Sequence, residues 1–301
     1  MVRGSVAFPS NSESHVTMEI NAHTGFCGLL GNPVEHSLSP AIHNAAFQQL
    51  RLNLVYLAFR VEAIGEAIGG LRALGGFRGA SVTIPHKVSA IPFLDEVEPT
   101  ARHIGAINTI VANQGKLTGY NTDATGALRA LRGGVGSLAG KRVVMLGSGG
   151  AARAIAFALA GESELAGLTL LGVDASERSR LVADLRSKTS LSVEEAPLDE
   201  GVLAKTLPAS QVLVHCTPIG MSPKTEGTCV PASLLHAGLA VMDIVYNPRE
   251  TQLLKDARQA GCATIPGLEM FLHQAAAQFE LWTNQTAPAD VMRAVLESRF
   301  Q

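Results

Sequence analysis

Neither sign of charge dominates this sequence. Lys plus Arg number 24 against 26 for Asp plus Glu, a net charge of −2. No long-range field therefore draws in nucleic acid or anionic lipid, and any anion has to be gripped locally. Cysteine is scarce and scattered: Cys27, Cys216, Cys229 and Cys262 form no CxxC pair and no metal-ligand spacing. That usage fits a reduced, cytoplasmic setting and excludes a zinc site. Long apolar runs are missing too. With no window of about 18 apolar residues, no membrane-spanning helix is expected. Residues 1–23 mix polar, charged and small side chains, unlike a signal peptide, and read as a flexible extension. Gly220-Met221-Ser222 lacks the Gly-x-Ser-x-Gly frame of a serine hydrolase elbow. The histidines at 36, 43, 86, 103, 215, 236 and 273 are dispersed and suggest no common role.

What is present is a chain of 301 residues, 47% hydrophobic and 17% charged, the balance of a folded globular protein. That length favours two domains over one core. From Thr24 onward strands alternate with helices. Phe26–Leu30, Leu54–Arg60 and Gly79–Ile84 read as strands, and Ile107–Ala112 with Lys116–Tyr120 as a hairpin around Asn113-Gln114-Gly115. Ser39-Pro40 reads as the N-cap and first residue of a helix, and Ala63–Leu74 as a second helix closed by Gly75-Gly76. Arg142–Leu146, Leu168–Leu171, Gln211–Val214, Leu239–Val245 and Ala263–Ile265 are further strands, separated by helical stretches. Met270–Trp282 and Pro288–Ser298 close the chain as helices. The expectation is an α/β protein of two domains. An N-terminal α/β substrate domain (24–123, joined by C-terminal helices over 268–301) precedes a Rossmann-like doubly wound dinucleotide-binding domain (124–267), with the cleft between them. Ala124–Leu131 reads as a helix, followed by a Gly-rich connector at Gly133-Gly134-Val135-Gly136.

Four motifs carry chemistry. Strand Arg142–Leu146 runs into Gly147-Ser148-Gly149-Gly150-Ala151-Ala152 and a helix. Its glycines allow a tight bend and close backbone approach to a pyrophosphate, beside the free N–H groups of a helix N-terminus. Asp174, after the next strand, reads either as the acid that bonds a ribose hydroxyl or as the N-cap of the following helix. Ser37 and Ser39 open a helix and would make a small carboxylate cradle, although Ser39 alone could be a plain N-cap. Lys87 in Val82-Thr83-Ile84-Pro85-His86-Lys87 and Asp123 in Asn121-Thr122-Asp123 would, if brought together, place an ammonium where an alkoxide develops. The carboxylate would hold that ammonium, and Asn108 would serve substrate hydroxyls. Taken separately, Lys87 reads as a surface lysine and Asp123 as an N-cap. The ordered set points to hydride transfer between a nicotinamide cofactor and a small hydroxy- or oxo-acid.

The same motifs, with Gly31-Asn32-Pro33, Gly105-Ala106-Ile107-Asn108-Thr109, Asp243-Ile244-Val245-Tyr246-Asn247-Pro248 and Gly267-Leu268-Glu269-Met270, resemble the shikimate dehydrogenase family over roughly residues 24–298. The resemblance implies reversible NADP(H)-dependent reduction of 3-dehydroshikimate to shikimate, in the pathway to aromatic amino acids, with Lys87 and Asp123 as the catalytic pair. It implies that Ser37, Ser39, Thr83, Asn108, Asp123, Tyr246 and Gln274 bind substrate. Gly147, Ser148, Gly149, Gly150 and Ala151 would bind the pyrophosphate, with Ile244 and Gly267 near the nicotinamide. The partner is then a small molecule, neither nucleic acid nor membrane. Oligomeric state stays open, with a homodimer among the options. Three positions depart from the family pattern. Ser81 stands where Asn is usual, and His215-Cys216-Thr217 replaces Asn-x-Thr. Gly172-Val173-Asp174 replaces the Asn-Arg-Thr clamp, as in NAD(H)-using quinate/shikimate relatives.

Overall fold

The computed structural model describes residues 19–162 and 164–299, so of the expected N-terminal extension only 19–23 fall within it. Two six-stranded sheets organise the chain. The first half runs β1 (Gly25–Gly31), α1 (Ser39–Gln49), β2 (Leu54–Arg60), α2 (Ile64–Ala73), β3 (Phe77–Val82), β4 (Glu96–Val97), α3 (Pro99–Ile104), β5 (Thr109–Asn113) and β6 (Lys116–Tyr120). Its sheet has the order β2-β1-β3-β5-β6-β4, with β1 parallel to β2 and β3, and β5 antiparallel to β3 and β6. The polypeptide then passes through α4 (Thr122–Val135).

The second half continues β7 (Arg142–Leu146), α5 (Gly150–Ala160), β8 (Gly167–Gly172), α6 (Ala175–Lys188), β9 (Val193–Pro197), α7 (Glu200–Thr206), β10 (Val212–His215), β11 (Ala240–Asp243), α8 (Gln252–Gln259) and β12 (Ala263–Pro266). All its strands are parallel, in the order β12-β11-β10-β7-β8-β9. The order reverses between β7 and β10, the point at which doubly wound sheets bind nucleotides. The chain then returns through α9 (Gly267–Thr283) and α10 (Ala289–Ser298).

Strand runs such as Val143-Val144-Met145-Leu146 are apolar throughout because helices cover both faces of the sheet. Met145 and Val143 pack with α4 and α5, whereas Val144 and Leu146 face α7 and α8. In the first sheet, Cys27 and Leu29 pack with Phe47, Phe279, Trp282, Met292 and Leu296, so the last two helices complete a core begun by the first strand. Trp282 packs against Gly79, where a Cβ would come within 2.4 Å of its Nε1, and that nitrogen donates to the Ile110 carbonyl at 2.9 Å.

The expected Gly-rich connector is a correction: Gly133, Gly134 and Val135 are the last turn of α4. A Cβ on Gly134 would meet the Ile265 side chain at 2.4 Å, so glycine is there to let the helix close on β12 rather than to break it. The helix stops at Gly136, at φ +69°.

Candidate active site

Lys87 lies just beyond β3, in a loop fixed from behind. The buried His86 ring bonds the Val61 carbonyl through Nε2 at 2.8 Å, and the Lys87 carbonyl accepts from Ile107 N. Asp123 stands in the first turn of α4, where the helix dipole favours a carboxylate. It is not the N-cap: Asn121 takes that place, accepting from Ala124 N at 3.2 Å. Asp123 is thereby left to accept from Lys87 Nζ on Oδ2 at 2.6 Å and from Asn108 Nδ2 on Oδ1 at 2.9 Å. Asn108 is oriented in turn, because its own Oδ1 accepts from Thr122 N, Thr122 Oγ1 and Thr109 Oγ1. The pair remains within reach of solvent and ligand, with 35% of the Lys87 side chain and 19% of Asp123 exposed.

These three residues line a cleft of about 370 Å³, large enough for a small metabolite. Ser37, Ser39, Ser81 and Thr83 line it too, together with Ile244, Tyr246, Gly267 and Gln274. Ser39 is the first residue of α1 rather than its cap, since Leu38 holds the N-cap position and Ser37 Oγ accepts from Ser39 N at 3.2 Å. Gly31 brings Thr83 close, because a Cβ there would sit 2.2 Å from the Thr83 methyl. Gly267 permits another close approach, since a Cβ there would lie 2.5 Å from the Ile244 carbonyl oxygen. Tyr246 packs on Phe271 with ring centroids 5.3 Å apart. The residue is 41% exposed; partial burial raises the phenol pKa, and the Lys87 ammonium partly offsets this.

Behind Ser81 runs a buried chain that sequence reasoning missed. Tyr56 donates from its hydroxyl to Ser81 Oγ at 2.7 Å, Ser81 donates to Gln278 Oε1 at 2.9 Å, and Gln278 Nε2 donates to Thr109 Oγ1 at 3.1 Å. His43 stacks on Tyr56 at 4.6 Å with neither ring nitrogen partnered, and burial drives its pKa down to about 3.

At the second sheet, Gly147 follows β7 with φ +105°, and a Cβ would press on the Cys216 carbonyl oxygen at 3.0 Å. A Cβ on Gly149 or Gly150 would meet nothing within 4 Å, so the turn is an open cradle. The α5 N-cap, Gly149, offers no side-chain acceptor, which leaves the N–H groups of the first turn, Ala151 included, free for an anion. These features fit a dinucleotide pyrophosphate. Asp174 caps α6, its Oδ1 accepting from Glu177 N at 2.8 Å.

Two family models match the chain: the shikimate dehydrogenase substrate binding domain over residues 29–110, and the shikimate 5'-dehydrogenase C-terminal domain over residues 267–297. A shikimate dehydrogenase (NADP(+)) of Moorella thermoacetica is 46% identical, across 93% of this chain and 95% of its own. The chain belongs to the shikimate dehydrogenase family. Its fold matches the crystal structure of shikimate 5-dehydrogenase from Listeria monocytogenes in complex with shikimate and NAD. The TM-score is 0.89 at 36% identity, over 93% of this chain and 99% of that one. It also matches quinate dehydrogenase from Corynebacterium glutamicum in complex with NAD, with a TM-score of 0.85 at 31% identity, over 91% of this chain and 99% of that one.

Set in a shikimate dehydrogenase, the three sequence departures acquire surroundings. Ser81 belongs to the Tyr56 relay just described. Val173 is 84% exposed at the end of β8 and offers no cation there. His215 ends β10, almost fully buried, with Nδ1 on Asp243 Oδ1 at 2.9 Å and Nε2 on Thr217 Oγ1. Burial works against its charged form, but the Asp243 carboxylate outweighs that, with Cys229 adding to it, and the imidazole is lifted to about 9. Asp243 also accepts from Thr251 Oγ1 at 2.6 Å and Val245 N at 3.0 Å. Neither His215 nor Asp243 carried a local sequence signal of this pairing, which forms between neighbouring parallel strands. Among the described residues, no helix is long and apolar enough to cross a membrane.

Proposed function

We propose that this protein catalyses the reversible NAD(P)H-dependent reduction of 3-dehydroshikimate to shikimate in the cytoplasm, a step toward the aromatic amino acids. The observation that carries the reading is the Lys87–Asp123 pair, 2.6 Å apart, in a cleft also lined by Ile244 and Gly267. Residues 24–123 with the C-terminal helices form the substrate unit in this reading, and 124–267 the dinucleotide unit.

The nicotinamide, when bound, supplies or accepts the hydride. Gly147, Ser148, Gly149, Gly150 and Ala151 would hold its pyrophosphate, Asp174 its ribose edge, and Ile244 and Gly267 its ring. Ser37 and Ser39 grip the substrate carboxylate with two hydroxyls and the N-terminus of α1. Lys87 Nζ gives its proton to the oxygen that gains charge as the ketone is reduced, and takes it back in the reverse direction. Asp123 keeps Lys87 aimed and accepts from a ring hydroxyl, while Asn108, Thr83, Tyr246 and Gln274 fix the remaining hydroxyls. The resemblance favours NADP(H). The exposed Val173 at the position of the missing arginine supports use of NAD(H) as well.

That same replacement supports a second reading, an NAD-dependent quinate/shikimate dehydrogenase. Shikimate and quinate oxidation, each followed at 340 nm with NADP+ and with NAD+, tests both. Turnover of shikimate is expected. Quinate oxidation faster than shikimate oxidation would favour the second reading, and no turnover of either acid would reject both.

A further inference from the structure

We infer that Arg153 pins the nucleotide half to the substrate half and so aligns the glycine turn with the catalytic pair. The inference rests on the dehydrogenase reading above and adds a positioning residue to it. Arg153 lies in the first turn of α5, where its N–H donates to the Gly149 carbonyl at 2.9 Å, so the glycine turn fixes its place. Its side chain leaves the nucleotide half. Nε donates to the Ile104 carbonyl, and Nη2 to the His103 carbonyl at 3.4 Å, at the end of α3. These are last-turn carbonyls that a helix cannot satisfy by itself, and a guanidinium suits the negative end of its dipole. Lys188, the last residue of α6, adds a contact to the His103 carbonyl at 3.5 Å. Asp184, 2.6 Å from Nη2, and the Phe157 ring, 5.1 Å from the guanidinium carbon, hold Arg153 in this pose.

The segment that Arg153 holds is short and leads straight to the site. Ile104 lies in the buried cluster of the nucleotide half that contains Ala152, Ile155 and Leu185, and Ala106 packs against the same cluster. Ile107 already belongs to the core of the first sheet, with Leu30, Ala80 and Val82. Its N–H donates to the Lys87 carbonyl, and Asn108, next in the chain, donates to Asp123. Residues 104–108 thus cross from one core to the other and end on both members of the catalytic pair. In the dehydrogenase reading the two reacting carbons are seated on different halves, and a misplacement of about 1 Å can cost about 10²-fold in rate. Arg153 runs from the helix that seats the pyrophosphate to the segment that carries Asn108, so its action is on that alignment.

The test compares Arg153→Met, which keeps an apolar stem over Phe157 but no donor, and Arg153→Lys with Arg132→Ala. The last removes the Arg132–Glu162 pair, 2.6 Å long, without touching α3. In Arg153→Met, kcat for shikimate oxidation should fall about 10–10²-fold, while KM for shikimate and the NADPH dissociation constant, read by fluorescence, stay within about twofold. The deuterium isotope effect on kcat, with shikimate labelled at the carbon that gives up hydride, should rise. Hydrogen exchange in the ligand-free protein should quicken over residues 104–108. Arg153→Lys keeps the charge and should lie only a few-fold below wild type in kcat, and Arg132→Ala should leave every one of these readings alone. A wild-type kcat in both Arg153 variants would overturn the proposal, as would an equal kcat loss in Arg132→Ala. NADPH binding weakened about tenfold would overturn it too, marking Arg153 as a phosphate ligand. These outcomes leave the dehydrogenase reading standing, whereas a wild type that turns over shikimate with neither cofactor would reject that reading and this proposal with it.

Discussion

Asn121 caps α4, and Asp123, two residues later, is thereby released from the helix end to face Lys87. Either residue is a competent N-cap, so the division of labour between them separates structure from chemistry. Asn121→Ala is expected to cost about 1 kcal/mol of stability. Asp123→Asn should keep the fold and lower kcat by about 10²–10³-fold. Urea unfolding and steady-state kinetics on both variants check this; equal stability losses with equal activity losses would contradict it.

Lys87→Ala should lower kcat by about 10²–10⁴-fold, the range for a positioned acid–base group. The melting temperature should barely move, because Asp123 retains the bond from Asn108 and the loop retains the His86 anchor. A variant that turns over at the wild-type rate removes Lys87 from the chemistry.

Stability should peak near pH 6.5, for reasons in the two different halves of the chain. His43 is held near 3 against an ordinary 6.5, so between those values the unfolded chain binds the extra proton and stability falls as pH falls. His215 is held near 9 against the same 6.5, so between 6.5 and 9 the folded chain holds the extra proton and stability falls as pH rises. Each slope is at most about 1.4 kcal/mol per pH unit. Urea midpoints across pH 5–9 measure both limbs. His215→Asn should flatten the alkaline limb only, and a limb that survives that change has another source.

Gly126 sits where α4 crosses α9, and a Cβ there would lie 2.7 Å from Gln274 N and 2.8 Å from the Met270 carbonyl oxygen. Backbone yields less readily than a side chain, so Gly126→Ala should cost about 1–3 kcal/mol. Displacing Gln274 should also raise KM for shikimate more than it lowers kcat. A neutral Gly126→Ala would mean that the crossing is looser than described.

The alternation of strands and helices was legible because buried parallel strands leave apolar runs with turn residues between them. Strand β9 was not: Val193-Glu194-Glu195-Ala196-Pro197 carries two acids and a proline, which an edge strand tolerates. Gly134 misled for a different reason, since glycine as punctuation and glycine as a packing surface look alike until Ile265 is placed against it. In the cleft, the short motifs marked Lys87, Asp123 and the serines in advance. The chain from Tyr56 through Ser81 to Gln278 joins positions far apart in sequence, and no window of the sequence contains it. Whether Asp174 was a cap or a ribose ligand was undecidable from its residue type. Its bond to Glu177 N gives one of its oxygens to the helix.

Trp282 on Gly79 and Gln278 on Ser81 join the last helices to the first sheet. During synthesis the face bearing Cys27, Phe47 and Tyr56 therefore waits for residues near 296 before its apolar surface is covered. The parallel sheet in the middle of the chain needs no such delay for its own strands. The two ends of the chain therefore have to meet before the core of the first sheet is closed.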